Sequence, residues 1–135
     1  MLIYSSDRTV NPKEFKSLLV RSTLGKRRPI GDDAVIQGMI ENANLILSCW
    51  ENEHLIGISR CVTDFHYCCY LSDLAVDKKY QKKGIGKKLI EETAKHLKPT
   101  CKVILLSAPV ATEYYPKLGF NLHPSAWTQS AKELV

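Results

Sequence analysis

Leu74-Ala75-Val76-Asp77-Lys78-Lys79-Tyr80-Gln81-Lys82-Lys83-Gly84-Ile85-Gly86-Lys87-Lys88-Leu89 runs from an apolar segment through a short polar turn into two glycines that open an amphipathic stretch. A strand feeding a glycine-led helix gathers unpaired main-chain N–H groups and the positive end of a helix dipole at one point. That point can hold a phosphate or pyrophosphate. Glycines at 84 and 86 keep side chains out of the way of such a ligand. Six lysines between Lys78 and Lys88 add attraction for a polyanion. A dinucleotide-binding fingerprint would place a third glycine where Leu89 stands, and no Gly-x-x-x-x-Gly-Lys-Ser/Thr string occurs.

Working outward, Tyr67 to Val76 is nearly continuous in apolar residues and reads as a strand covered on both faces. Before it, Leu45 to Trp50 and Leu55 to Val62 are strand-like runs joined by the turn Glu51-Asn52-Glu53-His54. Further upstream, Asn11-Pro12-x-Glu14 is a helix-start signature, with Phe15, Leu18, Leu19 and Ser22 following at helical spacing. Thr23 to Gly31 reads as a loop, and Asp32 and Asp33 open a second helix with Val35, Ile36, Met39 and Ile40 on its apolar face. Leu2 to Ser5 is a short strand candidate.

Downstream, Ile85, Leu89, Thr93, Ala94 and Leu97 share one helix face until Pro99 ends the pattern. Val103 to Leu106 reads as a buried strand, and Ala111 to Leu118 as a short helix capped by Gly119. Phe120 to Leu122 and Ala126 to Thr128 are the last strand candidates. The order β-α-α-β-β-β-α-β-α-β(-β) describes a mixed sheet with helices packed on it.

The chain has 135 residues, 19 Lys+Arg against 14 Asp+Glu, and a formal charge of +5. A single domain of this size buries roughly two-thirds of its unfolded surface without metal or disulfide staples. With 24% charged and 8% aromatic residues the composition is that of an ordinary globular protein, not of a coiled coil or a disordered chain. No apolar run approaches the roughly 20 residues of a membrane span, and the N-terminus does not read as a secretory signal, so a cytoplasmic protein is expected. Cys49, Cys61, Cys68, Cys69 and Cys101 form no C-x-x-C and read as small buried hydrophobes.

Gln81-Lys82-Lys83-Gly84-Ile85-Gly86 matches the Gln/Arg-x-x-Gly-x-Gly/Ala pattern of the GCN5-related N-acetyltransferases (GNAT). Tyr114-Tyr115-Pro116-Lys117-Leu118-Gly119-Phe120 resembles that family's Tyr-x-Lys-x-Gly-Phe segment. The two motifs lie about 30 residues apart with a strand candidate between them, as in the family. The resemblance implies an α+β fold: a central mixed, mostly antiparallel sheet flanked by about four helices, with residues 1–135 forming one domain. It also implies acetyl-CoA as cosubstrate, no metal, and an amine acceptor of unidentified kind.

By the same resemblance, main-chain groups of Leu74, Ala75 and Val76 pair with the pantetheine arm. The amides of Gln81, Lys82, Lys83, Gly84, Ile85, Gly86 and Lys87 hold the pyrophosphate. Tyr115 matches the tyrosine that protonates the departing thiolate in many members, with Tyr114 one residue away. Ser107, in Ser107-Ala108-Pro109, stands where many members carry Asn, and Pro116 replaces the commoner Glu. Ser72 occupies the position of a Glu proposed as base in some relatives.

Asp73 interrupts a buried strand. It is either a carboxylate satisfied by backbone or a lysine, or a group facing the acceptor that orients or helps deprotonate the amine. Arg27 and Arg28 are either surface charges beside Pro29 or binders of a carboxylate or phosphate on the acceptor. Trp50, Trp127, Tyr67 and Tyr70 are expected in the core or in a pocket wall. His66 and His123 have no carboxylate at suggestive spacing. Two other function classes compete: a catalytically silent acyl-CoA-binding sensor or partner module, and a basic nucleic-acid binder. No helix-turn-helix, zinc-finger or aromatic RNA-stacking motif accompanies the lysines, so nucleic acid is not expected as the main ligand. Monomer and homodimer are both compatible with the sequence.

Overall fold

The computed structural model describes residues 1–134. Five strands form one sheet in sequential order: β1 (Leu2–Ser5), β2 (Leu45–Glu51), β3 (His54–Thr63), β4 (Cys68–Val76) and β5 (Lys102–Ile104). The first four are antiparallel to their neighbours, and β5 joins β4 in parallel. The helices are α1 (Pro12–Arg21), α2 (Asp33–Asn42), α3 (Ile85–Ala94) and α4 (Tyr114–Lys117). This is the mixed, mostly antiparallel sheet with four helices that the sequence predicts.

Local chemistry explains where the helices begin. Asn11 Oδ1 accepts from the Glu14 main-chain N–H at 2.7 Å, and Glu14 Oε1 accepts from the Asn11 N–H at 3.1 Å. This reciprocal cap fixes the start of α1. Asp32 caps α2 through the Val35 N–H at 3.2 Å. The Thr23–Gly31 segment is not all irregular, since Leu24–Arg27 forms a 3-10 turn.

The sheet separates two apolar layers. Phe15, Leu18 and Leu19 of α1 and Ile36 and Ile40 of α2 pack with Trp50, Leu55, Ile58 and Ala75 on one face. Ile85 and Leu89 of α3 pack with Leu47, Cys49, Ile56, Cys69 and Leu71 on the other. Both layers call on β4, which explains why its sequence is apolar almost throughout.

Two features of β4 shape the molecule. Its pairing with β5 covers only Cys68↔Lys102, Cys69↔Val103 and Tyr70↔Ile104, so Leu71–Val76 has no β5 partner. Immediately beyond, the β3 register steps from Cys61↔Leu71 to Arg60↔Asp73, which makes Ser72 the extra residue of a β-bulge. A bulge bends its strand and raises the local twist. It also switches which face β4 residues meet: Leu71 packs toward α3, whereas Ala75 packs toward α1 and α2.

The C-terminal third departs from the sequence expectation. Strand β5 ends at Ile104, and the helix expected over Ala111–Leu118 is a 3-10 turn (Pro109–Ala111) followed by the single turn of α4. Pro116 falls inside that first turn, where its missing N–H breaks no helical bond. Gly119 follows with φ +92°, the expected left-handed stop. Neither Phe120–Leu122 nor Ala126–Thr128 forms a strand. Ordering costs about 1–2 kcal/mol per residue, which three-residue β5 recovers by pairing with β4, whereas these runs, flanking His123 and Pro124, pair with no strand edge. Trp127 is accordingly 91% exposed and Tyr67 76% exposed, while Trp50 alone of the two tryptophans is core.

Candidate functional site

The opening between the bulged end of β4 and the chain leaving β5 is a cleft. One wall carries Leu71, Ser72 and Leu74, and the opposite wall carries Leu105, Leu106 and Ala108. Ala111 and Tyr115 close it from the α4 side, and Leu24 and Arg28 from the turn after α1. Ser107 is half-buried between the two cleft residues Leu106 and Ala108. Residues 70 or more positions apart in sequence therefore meet in one cavity. Main-chain groups on the β5 side of Leu71–Val76 are left for another partner, because β5 has already diverged.

At the far end of β4 the chain turns into α3. Asp77 Oδ1 accepts from the Lys79 N–H at 2.9 Å, and the Gln81 side chain donates to the Val76 carbonyl at 3.0 Å, which ties the turn back to the strand. Lys82 and Gly84 both take left-handed conformations, φ +64° and +81°. That double bend, which glycine tolerates at 84, turns the chain from β4 into α3. The first main-chain bond of α3 runs from the Lys88 N–H to the Gly84 carbonyl at 3.0 Å. The N–H groups of Ile85, Gly86 and Lys87 precede that ladder.

Ile85 itself is buried under the sheet and anchors the turn. Lys82 and Lys83 are exposed beside it, while Lys87 and Lys88 reach Glu91 and Glu92 at 4.0 and 3.2 Å. The segment presents amides and positive charge together, as an anion site requires.

The two tyrosines of α4 have different surroundings. Tyr115 lines the cleft and packs edge-on against Tyr114 and Phe120, with ring centroids 5.2 and 5.6 Å away. Tyr114 turns toward α3: a Cβ at Gly86 would lie 2.7 Å from its hydroxyl. Burial, followed by the neighbouring Tyr114, pushes the Tyr115 hydroxyl above its ordinary range, and burial does the same to Tyr114. Both therefore keep their protons at neutral pH.

Asp73 is 0% exposed and does not stand free. One carboxylate oxygen accepts from Arg28 Nε and the other from Arg60 Nε. The same guanidiniums grip the bulge: Arg28 Nη2 donates to the Ser72 carbonyl at 2.8 Å, and Arg60 Nη2 donates to Ser72 Oγ at 2.9 Å. Arg60 Nη1 also donates to the Met39 carbonyl at 3.0 Å, so the cluster reaches α2. The partners of Asp73 are thus arginines rather than backbone or lysine. Arg27 stays exposed, and its carbonyl accepts from Arg28 Nη1 at 2.9 Å.

Arg60 was not among the residues expected here. Its signal is a single charge inside the apolar run Leu55–Val62, opposite a single charge in Tyr67–Val76. Cys61 and Cys69 are buried in the α3-side layer, and Cys68 Sγ lies 3.9 Å from Asp64 Oδ2, so none of the three borders the cleft. Among the described residues no group of three His, Cys, Asp or Glu is placed to hold a metal ion, and no helix is long and apolar enough to cross a membrane.

Comparison with known proteins gives a consistent result. The family described as an acetyltransferase (GNAT) domain matches residues 26–131. The uncharacterized N-acetyltransferase ycf52-like of Prochlorococcus marinus is 29% identical over 128 residues, 90% of this chain and 69% of that protein. Histone acetyltransferase TAP1 of Glycine max is 33% identical over 76 residues, 55% of this chain. The match spans only 33% of that soybean protein.

Among solved structures, a protein of unknown function from methicillin-resistant Staphylococcus aureus, a probable acetyltransferase, superposes with TM-score 0.79. It is 20% identical, and the match covers 96% of this chain and 98% of that one. A GNAT family acetyltransferase from Streptococcus pneumoniae superposes with TM-score 0.75 at 19% identity, with the same coverage. At these identities the superpositions establish the fold.

Proposed function

The chain belongs to the GNAT acetyltransferase family, and on that premise we propose that it transfers an acetyl group from acetyl-CoA to a primary amine by direct attack within a ternary complex. The observation that carries this reading is the cleft that opens at the Ser72 bulge, with the glycine turn of α3 at one end of β4 and Tyr115 in its wall. In this proposal the free main-chain groups of Leu74 to Val76 align the pantetheine arm. The turn from Gln81 to Lys87 holds the pyrophosphate through amides and lysine charge. Ser107, between the cleft residues Leu106 and Ala108, contributes a hydroxyl in this reading.

The amine attacks the thioester carbonyl as a free base, losing its proton to water as the C–N bond forms. Strand amides near Leu74 to Val76 stabilise the developing oxyanion. As the C–S bond breaks, Tyr115 gives its proton to the CoA thiolate. Holding both substrates in one cleft supplies much of the rate.

Asp73 is assigned an orienting role in place of a base, because both oxygens are engaged by guanidiniums. It holds Arg28 and the bulge residue Ser72 where the acceptor would lie. No acyl-enzyme is proposed, since Cys68 and Cys69 lie away from the cleft.

Thermal unfolding with acetyl-CoA, CoA and ATP at matched ionic strength tests the cofactor. A ligand at about 100 times its dissociation constant adds roughly 2.7 kcal/mol, a shift of several degrees. Stabilisation by acetyl-CoA and CoA but not ATP, with amine-dependent thiol release, is the expected result. Stabilisation without release for any amine makes the chain an acyl-CoA-binding module instead. No stabilisation at millimolar acetyl-CoA overturns the reading.

A further inference from the structure

Among the described residues, Arg28 is the one charged side chain lining the cleft; the other lining residues are apolar apart from Ser72 and Tyr115. Its nearest counter-charge, Asp73, is fully buried behind it and shared with Arg60, so the cluster holds two guanidiniums and one carboxylate. One positive charge is left over. The Arg28 side chain is 19% exposed and Arg60 is 8% exposed, which leaves Arg28 to present that charge to the cavity.

A guanidinium carries five N–H donors. Three positions on Arg28 are engaged: Nε by Asp73, Nη2 by the Ser72 carbonyl and Nη1 by the Arg27 carbonyl. One N–H on each Nη remains. Paired donors on a fixed fork match the oxygens of a carboxylate or phosphate.

From this arrangement, and resting on the acetyltransferase reading above, we infer that the acceptor is a small amine that itself carries an anionic group, a carboxylate or phosphate, and that Arg28 binds that group. An amine arrives largely protonated and would normally be drawn by a carboxylate. Here the cleft offers none, so a polycation meets only repulsion from Arg28 in a partly dehydrated site. An acceptor with its own anion cancels the surplus charge and takes both spare donors. The leucines at 24, 71, 105 and 106 then cover its apolar body. The amine end is left toward Leu74 and Tyr115, on the side where the thioester is proposed to lie.

The test is calorimetric titration of the CoA complex with matched pairs: L-leucine against 3-methylbutylamine, glucosamine 6-phosphate against glucosamine, and spermidine alone. At least one anionic member should bind about 10- to 100-fold tighter than its partner. The leucine and sugar arms separate carboxylate from phosphate. Arg28→Gln should reduce the selectivity to within about threefold, and Arg28→Lys, which keeps the charge but loses the fork, should fall between. Thermal melts of both variants with CoA check that fold and cofactor binding survive.

Equal or tighter binding of the uncharged-tail amines or of spermidine overturns the inference while leaving the transferase reading standing. So does failure of every anionic amine to bind a CoA-saturated protein. Failure of CoA itself to bind overturns the transferase reading, and this inference falls with it.

Discussion

Arg60 and Asp73 face each other across β3 and β4 as buried register partners, at the step where the Ser72 bulge interrupts the ladder. The pair is therefore built into the feature that separates β4 from β5. Arg28 completes it from the other side, so one carboxylate holds two cations that in turn hold the bulge residue.

Removing the carboxylate charge leaves two guanidiniums in a buried place with no counter-ion. Asp73→Asn is expected to cost about 3–5 kcal/mol of unfolding free energy, measured by urea denaturation. The same variant should weaken acceptor binding more than acetyl-CoA binding, because Arg28 loses its anchor while the α3 turn is untouched. A loss below about 1 kcal/mol would mean that the cluster is not stapling the bulge.

Tyr115→Phe is expected to lower kcat by about 10²–10⁴ with little change in acetyl-CoA affinity, since only the proposed proton donor is lost. Tyr114→Phe should lower it far less. Because burial and then Tyr114 raise the Tyr115 hydroxyl above its ordinary value near 10, the acid form persists through neutrality. The loss of rate from its deprotonation should therefore appear only above about pH 10, and should vanish from the profile of the Phe variant. Stopped-flow thiol release across pH reads both.

Gly86 separates folding from cofactor binding. An alanine Cβ there would meet the Tyr114 hydroxyl at 2.7 Å, the movable end of a side chain, and alanine suits a helix better than glycine by about 1 kcal/mol. Gly86→Ala should leave stability unchanged within about 1 kcal/mol. It should still weaken acetyl-CoA about tenfold or more, by standing over the amides proposed to hold the pyrophosphate. Adding Tyr114→Phe removes the hydroxyl clash. If affinity then returns, the defect was the tyrosine and not obstruction of the amides.

Asp77 links the loop to acid stability. Burial raises its carboxyl, but the Lys79 amide and the Arg21 guanidinium more than offset that and hold it below the usual carboxylate range. A carboxylate depressed in the folded state stabilises fully above its unfolded value, near 3.9, and this contribution is lost as pH falls through the lower folded value. The gap in urea midpoint between wild type and Asp77→Asn should shrink as pH falls from about 5 and close below about pH 4. A gap that persists undiminished at about pH 3 would contradict the assignment.

Much of the architecture is written locally. The capping pair Asn11 and Glu14, the apolar spacing of Phe15, Leu18 and Leu19, and the strand-turn-helix from Leu74 to Leu89 each depend on residues within about two turns of one another, so pattern reading finds them. Gly84 and Gly86 are legible for the same reason. The Arg60–Asp73 pair shows where such reading stops. Counting back from Thr63↔Cys69 and Cys61↔Leu71 sets Arg60 opposite Ser72, and only the bulge moves it to Asp73.

Whether Phe120–Leu122 and Ala126–Thr128 join a sheet is also not a local matter. Their strand propensity is real, but the bonds that would repay their ordering must come from an edge elsewhere, and in this chain that edge does not take them.

The sequence by itself determined the elements from β1 to α3, their order, the glycine turn that opens α3 and the family resemblance, because helix caps, periodicity and glycine conformations act over a few residues. The tertiary structure alone decided that β4 parts from β5 after Tyr70, that Arg28 and Tyr115 share one cleft, and that two arginines hold the Asp73 carboxylate. Those outcomes depend on charges and strand edges brought together from 13 positions apart, for Arg60 and Asp73, to 45, for Arg28 and Asp73, where the cost of burying an unpaired charge, not local preference, selects the partner.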